Sequence, residues 1–210
     1  MRRLLVILSA FCSLFAVPAT AQQAGSLIAA EPMPDAPPGV QAWRVRYWTT
    51  NGAGVPMQVT GIVAAPMEAV SPRPRRVIAW THGAWGVAEK CAPSLSSDFF
   101  SASAGVEPAV RAGYVVVAPD YIGLGSPTMH PFLIGDDTAR AVLDGVRAAR
   151  AIPGAAAGSS FAVWGEIAGW ARRVVDRNAR AGLCSRVDAC RRRGGGPTDR
   201  SRRQSARGQR

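Results

Sequence analysis

Three short, uninterrupted apolar runs limit most strongly what this chain can fold into. Val77-Ile78-Ala79-Trp80 ends in Thr81-His82-Gly83, Tyr114-Val115-Val116-Val117-Ala118 closes on Pro119-Asp120, and Phe161-Ala162-Val163-Trp164 closes on Gly165. Runs this short, with no polar residue alternating in them, suit strands covered on both faces. A helix is expected between the first two, around Val106 to Arg111. Between the second and third, Thr138 to Ile152 places Ala139, Val142, Leu143, Val146 and Ala149 along one helical face. Asp136 and Asp137 suit its N-terminus, and Pro153-Gly154 ends it. Strand, crossover, strand, helix, strand reads as an α/β fold: a parallel sheet with flanking helices on both faces.

Upstream the period changes. Trp43 to Thr49 and Met57 to Ala64 each alternate apolar with polar residues, and Asn51-Gly52 supplies a turn between them, which predicts a hairpin. Gln22 to Val40 carries Pro32, Pro34, Pro37 and Pro38 and reads as an extended leader rather than core. Pro72 and Pro74 break the chain before the first buried run. No repeat period occurs.

The ends of the chain differ from its middle. Met1 to Ala21 opens with Arg2 and Arg3, continues with an apolar stretch from Leu4 to Val17, and closes on Ala19-Thr20-Ala21. That is the anatomy of a cleaved secretory signal, so residues 1–21 are expected to direct the protein to the periplasm or outside, with the mature chain starting near Gln22. The apolar stretch is short of the ~18 residues that a membrane-spanning helix needs. No transmembrane segment is expected elsewhere.

The net charge of +11 would suggest nucleic acid if it were spread through the fold. It is not: residues 1–166 hold 12 basic and 11 acidic side chains, and residues 167–210 hold 13 and 3. The charge belongs to the tail, so a nucleic-acid partner is not expected for the folded part. The domain reading is therefore a signal at 1–21, a folded portion at 22–166, and a disordered Arg-rich tail at 167–210. Cys91 is the one cysteine of the folded portion, and an exported protein can place it in a disulfide whose partner the sequence does not indicate. Nothing in the sequence indicates an oligomeric state.

Three glycine-marked loops follow the three buried runs. Thr81-His82-Gly83-Ala84-Trp85-Gly86 lets backbone N–H groups turn toward a substrate oxygen, as an oxyanion hole requires; a plain turn with a packed histidine is the structural alternative. In Ala118-Pro119-Asp120-Tyr121-Ile122-Gly123-Leu124-Gly125-Ser126-Pro127, Asp120 reads as a cap for local backbone donors rather than a reacting group. Gly165-Glu166-Ile167-Ala168-Gly169 has both glycines of a Gly-x-Ser-x-Gly nucleophile elbow, whose tight strand-to-helix turn leaves no room for other side chains. Ile167 stands in the serine position, and isoleucine has no atom that attacks a carbonyl.

Taken in order, these elements resemble the secretory lipase family of α/β-hydrolases over roughly Trp43 to Glu166. The likeness is carried by Trp80-Thr81-His82-Gly83, Glu89-Lys90-Cys91-Ala92-Pro93-Ser94, Gly113 to Pro127, and Trp164-Gly165-Glu166. The resemblance implies the N-terminal portion of an α/β-hydrolase sheet and hydrolysis of acyl glycerols or similar esters by a Ser-Asp-His triad. It also implies an oxyanion hole at Gly83 and Ala84. The acid and histidine of such a triad would follow the elbow. No cofactor is implied.

Past Glu166 the composition changes: 13 arginines and no lysine in 44 residues, with Arg191-Arg192-Arg193 and Gly194-Gly195-Gly196. A GC-rich gene read in the wrong frame has that composition. If Ile167 is written ATC and its first base is an extra nucleotide, the next codon is TCG, a serine. The following residues then read Gln-Gly-Gly-His-Ala-Ala-Leu-Trp, similar to the elbow and helix of that family. On this reading the chain is a truncated ester hydrolase, inactive as written.

The alternatives are a genuine replacement of the serine by Ile167, giving a pseudo-hydrolase that binds lipid or ester without cleaving it, and an anion- or nucleic-acid-binding tail. A substitute triad of Ser126, Asp120 and His130 would need a geometry that sequence proximity does not provide. His82 and His130, with scattered carboxylates, show no metal-ligand spacing.

Overall fold

A computed structural model describes residues 23–68 and 73–165 of the chain. The expected signal, Glu166, Ile167, Gly169 and the basic tail lie outside the described residues. Six strands form one sheet: β1 (Leu27–Pro32), β2 (Val40–Thr50), β3 (Pro56–Pro66), β4 (Arg75–Thr81), β5 (Val115–Pro119) and β6 (Ala157–Gly165), in the order β1-β2-β3-β5-β4-β6. Two short helices, α1 (Phe99–Ala102) and α2 (Val106–Arg111), join β4 to β5, and α3 (Gly135–Ala149) joins β5 to β6.

The expected hairpin forms, with β2 and β3 paired antiparallel from Val40↔Pro66 to Thr50↔Pro56. Its turn is built on Asn51, whose side-chain oxygen accepts hydrogen bonds from the backbone N–H of Ala53 (3.0 Å) and Val55 (2.9 Å). The left-handed position is Gly54 (φ 81°) rather than Gly52.

Two expectations need correction. The proline-rich leader is not outside the core: Leu27–Pro32 pairs antiparallel with β2, and Met33 and Val40 are buried. Pro32 is tolerated because it ends an edge strand, where a missing N–H breaks no central ladder. The sheet is also mixed rather than wholly parallel. β4 pairs parallel with β5 and with β6, but β3 joins β5 antiparallel, bringing the hairpin into the same sheet. Gly61 permits this, since a Cβ there would stand 2.5 Å from the Ala118 carbonyl oxygen.

The period-two geometry of the strands divides the apolar residues into two cores. Val45, Tyr47, Val59, Val63, Val77, Ala79, Val115 and Val117 face one side and pack on Ala141, Val142, Val146 and Ala149 of α3. Val40, Ala42, Ile62, Ala64, Trp80, Val116 and Ala118 face the other, under Phe99, Val106 and Val110. Each fully buried valine contributes about 1.5–3 kcal/mol of transfer free energy. All five residues predicted for the inner face of α3 are buried. Gly145 brings α3 close enough to β2 for the Tyr47 hydroxyl to donate to the Ala141 carbonyl at 2.8 Å.

The helices lie on opposite faces because the chain moves from β4 to β5 in one direction along the sheet and from β5 past β4 to β6 in the other. A right-handed crossover then requires opposite sides. β6 is less covered than its apolar run suggested. It is the edge strand of the described sheet, and Trp164 is 41% exposed.

Candidate active site at the carboxyl ends of the parallel strands

The reversal in strand order centres on β4, and the crevice beyond the carboxyl ends of β4, β5 and β6 is where open α/β sheets bind ligands. Thr81, His82, Asp120 and Gly165 all lie there, brought together from three strands.

His82 and Gly83 are buried, whereas Ala84 and residues 86–90 are exposed, so the chain leaves the core abruptly after Gly83. The His82 ring lies between two carbonyl oxygens, with Nδ1 2.7 Å from that of Gly83 and Nε2 3.2 Å from that of Asp120, and a neutral ring donates to one of the two according to its tautomer. The ring also stacks on Tyr121, with centroids 4.1 Å apart. The histidine is thus packed, as in the structural alternative for this loop. The Gly83 carbonyl and the Ala84 N–H share one planar peptide and point in opposite directions. Anchoring the carbonyl on the imidazole therefore turns the Ala84 N–H away from it. Among the described residues none accepts a backbone hydrogen bond from Gly83 or Ala84.

Asp120 is fully buried, and both its carboxylate oxygens are engaged. Oδ1 accepts from the Ser94 N–H (2.8 Å), and Oδ2 accepts from the Ser94 hydroxyl (2.5 Å) and the Thr60 hydroxyl (2.7 Å). Burial raises its pKa above the ordinary carboxylate value, and the bonds from Ser94 and Thr60, with the Arg44 charge, pull it back in part. These donors come from β3 and the loop after β4, not from the neighbouring turn. Asp120 thus caps, but across the fold. Tyr121 follows with φ 74°, a left-handed backbone that costs a non-glycine residue about 1–2 kcal/mol. Its hydroxyl donates to the His82 carbonyl at 3.3 Å, and the stacked ring holds it there.

The substitute triad does not assemble. Ser126 Oγ lies 3.3 Å from Thr128 Oγ1, His130 Nδ1 lies 2.7 Å from the Ile122 carbonyl oxygen, and Asp120 is committed to Thr60 and Ser94. His130 instead packs against Gly123 (φ 82°), where a Cβ would stand 2.5 Å from the His130 Cα.

Gly165 closes β6 in register with Thr81, and a Cβ there would overlap the Thr81 hydroxyl and carbonyl oxygens. The space at Gly165 is therefore closed by the neighbouring strand; the other positions of the expected elbow are outside the described residues. Cys91 has a free thiol among the described residues and packs on Gly86, where a Cβ would stand 2.5 Å from its Sγ. No group of three potential metal ligands converges among the described residues, and no described helix is long and apolar enough to cross a membrane.

Sequence reasoning missed Ser94, Thr60 and Arg44. Ser94 was visible only as the last residue of a resembling stretch. Thr60 was one polar residue in an alternating strand. Nothing local marks either as a partner of a carboxylate 26 or 60 residues away.

Comparison with known proteins agrees with this fold and with the resemblance read from the sequence. Residues 101–174 match the model of the secretory lipase family, a stretch that runs from the α1 region through Gly165 to Val174. The structure is similar to that of the rice cell wall degrading esterase LipA from Xanthomonas oryzae, with TM-score 0.61 and 20% identity over 78% of this chain and 48% of that one. A hydrolase from Legionella pneumophila, described as putative, gives TM-score 0.58 and 23% identity over 70% of this chain and 40% of that one. Candida antarctica lipase A in its closed state gives TM-score 0.58 and 21% identity over 78% and 40%. The described fold is that of an α/β-hydrolase, and the chain spans about half, or less, of the length of these structures. No curated protein matches the sequence.

Proposed function

We propose that this chain is the N-terminal portion of a secreted serine ester hydrolase of the lipase/esterase type, acting on acyl glycerols or similar esters. The Gly83 and Ala84 N–H groups would serve as its oxyanion donors. The observation that carries this reading is the Gly83–Ala84 peptide. It lies at the carboxyl edge of the sheet, its carbonyl oxygen is 2.7 Å from His82 Nδ1, no described backbone carbonyl accepts from the Ala84 N–H, and β6 ends at Gly165 opposite Thr81. Donors fixed before reaction stabilise a developing oxyanion without reorganising, and removing one such donor costs about 3–4 kcal/mol of transition-state stabilisation.

A Gly-x-Ser-x-Gly elbow that begins at Gly165 has its serine two residues later in the sequence. Ile167 occupies this position, so the chain as written has no nucleophile on its elbow, and we take it to be inactive. The abrupt change in composition after Glu166 supports an extra base in the codon of Ile167. The sequence anatomy of residues 1–21 supports export. The second reading is a non-catalytic lipid- or ester-binding relative, favoured if Ile167 is genuine. Binding of anions or nucleic acid by the arginine-rich tail has charge alone behind it.

Resequencing the gene across the codons for Glu166 to Ala171 separates these readings. Loss of one base restores a serine, and the corrected protein is expected to hydrolyse p-nitrophenyl esters of short and long acyl chains. A confirmed Ile167 codon refutes the frame reading. A corrected protein with no esterase activity on either chain length refutes the hydrolase.

A further inference from the structure

The loop that follows β4 is fastened near its two ends to two adjacent residues, Asp120 and Tyr121. It runs from His82 to Ser94 and is exposed at Ala84 and at residues 86–90. At its start, the Tyr121 hydroxyl donates to the His82 carbonyl at 3.3 Å and the Tyr121 ring stacks on the imidazole. At its end, the Ser94 amide and hydroxyl both donate to the Asp120 carboxylate. Asp120 is itself immobilised, because its N–H donates to the Thr60 carbonyl at 2.8 Å and Thr60 Oγ1 donates to its Oδ2. From the opposite side, Arg44 Nε donates to the Ser94 carbonyl at 3.0 Å. The middle of the loop has one further tie to the segment after β5, from the Gly125 N–H to the Glu89 carbonyl at 2.9 Å.

From this geometry we infer that Asp120 is a positioning residue for the Gly83 and Ala84 amides, acting through Ser94. The inference rests on the ester-hydrolase reading given above. A loop with so many exposed residues has few contacts of its own to define its path. Fixing its two ends on the adjacent residues Asp120 and Tyr121, between β3 and the β5 terminus, removes much of that freedom. A carboxylate suits the task because its oxygens have acceptor sites for three donors at once and offer none in return. An asparagine of the same shape would present an NH2 group to two hydroxyls. Asp120 is buried beneath the loop and touches no reacting atom, so its effect would be on how the donors are aimed.

Two readouts on the full 210-residue chain test this. Amide hydrogen exchange is measured for Ser94→Ala, Asp120→Asn and Ser94→Thr. The first two are expected to accelerate exchange across residues 82–94 by about ten- to a hundredfold, as loss of a charge-assisted bond implies. Peptides from α3 should be unchanged, and Ser94→Thr, which keeps both donors, should behave as the unsubstituted chain does. Unchanged exchange in Ser94→Ala, or equal acceleration everywhere, overturns the clamp.

The second readout is the amide proton and nitrogen shift of Gly83 and Ala84 on titration with butanesulfonate, an anionic mimic of the oxyanion. The unsubstituted chain and Ser94→Thr should shift at both amides, and Ser94→Ala should lose about tenfold in apparent affinity. Equal affinity in Ser94→Ala overturns the positioning role. No shift in the unsubstituted chain overturns the oxyanion reading and the positioning role with it, while the exchange data still decide whether the clamp exists.

Discussion

Replacing Gly61 by alanine tests how β3 is joined to the parallel strands. Gly61 faces Pro119 in the antiparallel ladder, and a Cβ built on it would lie 2.5 Å from the Ala118 carbonyl oxygen and 2.9 Å from the Pro119 Cα. Both are backbone atoms of the neighbouring strand, so no side-chain rotation relieves the contact, and β3 and β5 must separate. Overpacking of this kind costs about 1–3 kcal/mol. The separation also stretches the bond from the Asp120 N–H to the Thr60 carbonyl, 2.8 Å long beside the clash, whose loss adds about 1 kcal/mol.

The expected destabilisation is therefore about 3 kcal/mol, a large share of the ~5–15 kcal/mol available to a domain of ordinary stability. The assay is urea unfolding followed by tryptophan emission, to which buried Trp80 contributes. Gly113→Ala is the control. It has φ 89° and no atom within 4 Å of its added Cβ, so it bears only the left-handed backbone cost of about 1–2 kcal/mol. If Gly61→Ala loses no more than Gly113→Ala, the close approach of β3 to β5 is not what holds the hairpin in this sheet.

Three further outcomes follow from buried polar groups. Thr49→Val removes the donor to Asp144 Oδ2, a buried 2.7 Å bond, and should cost about 2 kcal/mol in urea unfolding; a loss below about 0.5 kcal/mol would show that the bond is not formed. Tyr47→Phe removes the hydroxyl bond to the Ala141 carbonyl and should lower stability by about 1 kcal/mol without changing the m-value, whereas a changed m-value would indicate a looser native state. Burial raises the pKa of both Asp120 and Asp144 above the ordinary 3.8, so between that value and their native values the folded state binds more protons than the unfolded one. Their contribution to stability then falls as pH rises through that window and is level above it. Asp144→Asn should flatten this part of the urea-midpoint profile, and a steeper profile in the variant would contradict the direction given.

Much of the fold was legible because its signals are local. The runs at Val77, Val115 and Phe161, the inner face of α3 and the hairpin each occupy a short window with a definite period. What was missed depends on contacts between windows. The segment ending at Pro32 has few strand-forming signals and becomes a strand because β2 offers it an open edge. The antiparallel joint between β3 and β5 depends on a glycine whose significance lies in the strand beside it.

The site divides in the same way. The loops at Gly83 and Gly165 could be singled out as candidates because loops after buried strands carry glycine for backbone reasons. The Asp120 partners were not found, because a carboxylate gives no sign in sequence of which hydroxyls it will meet.

The strand order has a consequence for when the site can form during synthesis. β1, β2 and β3 are sequential neighbours and can pair as they emerge, whereas both neighbours of β4, β5 and β6, come after it in the chain. The strand that leads into the His82 loop is therefore made early and has no partner until residues 115–119 and then 157–165 have followed. Over that interval its apolar run is an unpaired edge, the kind of segment through which nascent chains associate wrongly. Arg75 and Arg76 at its start put two charges beside that edge while it waits.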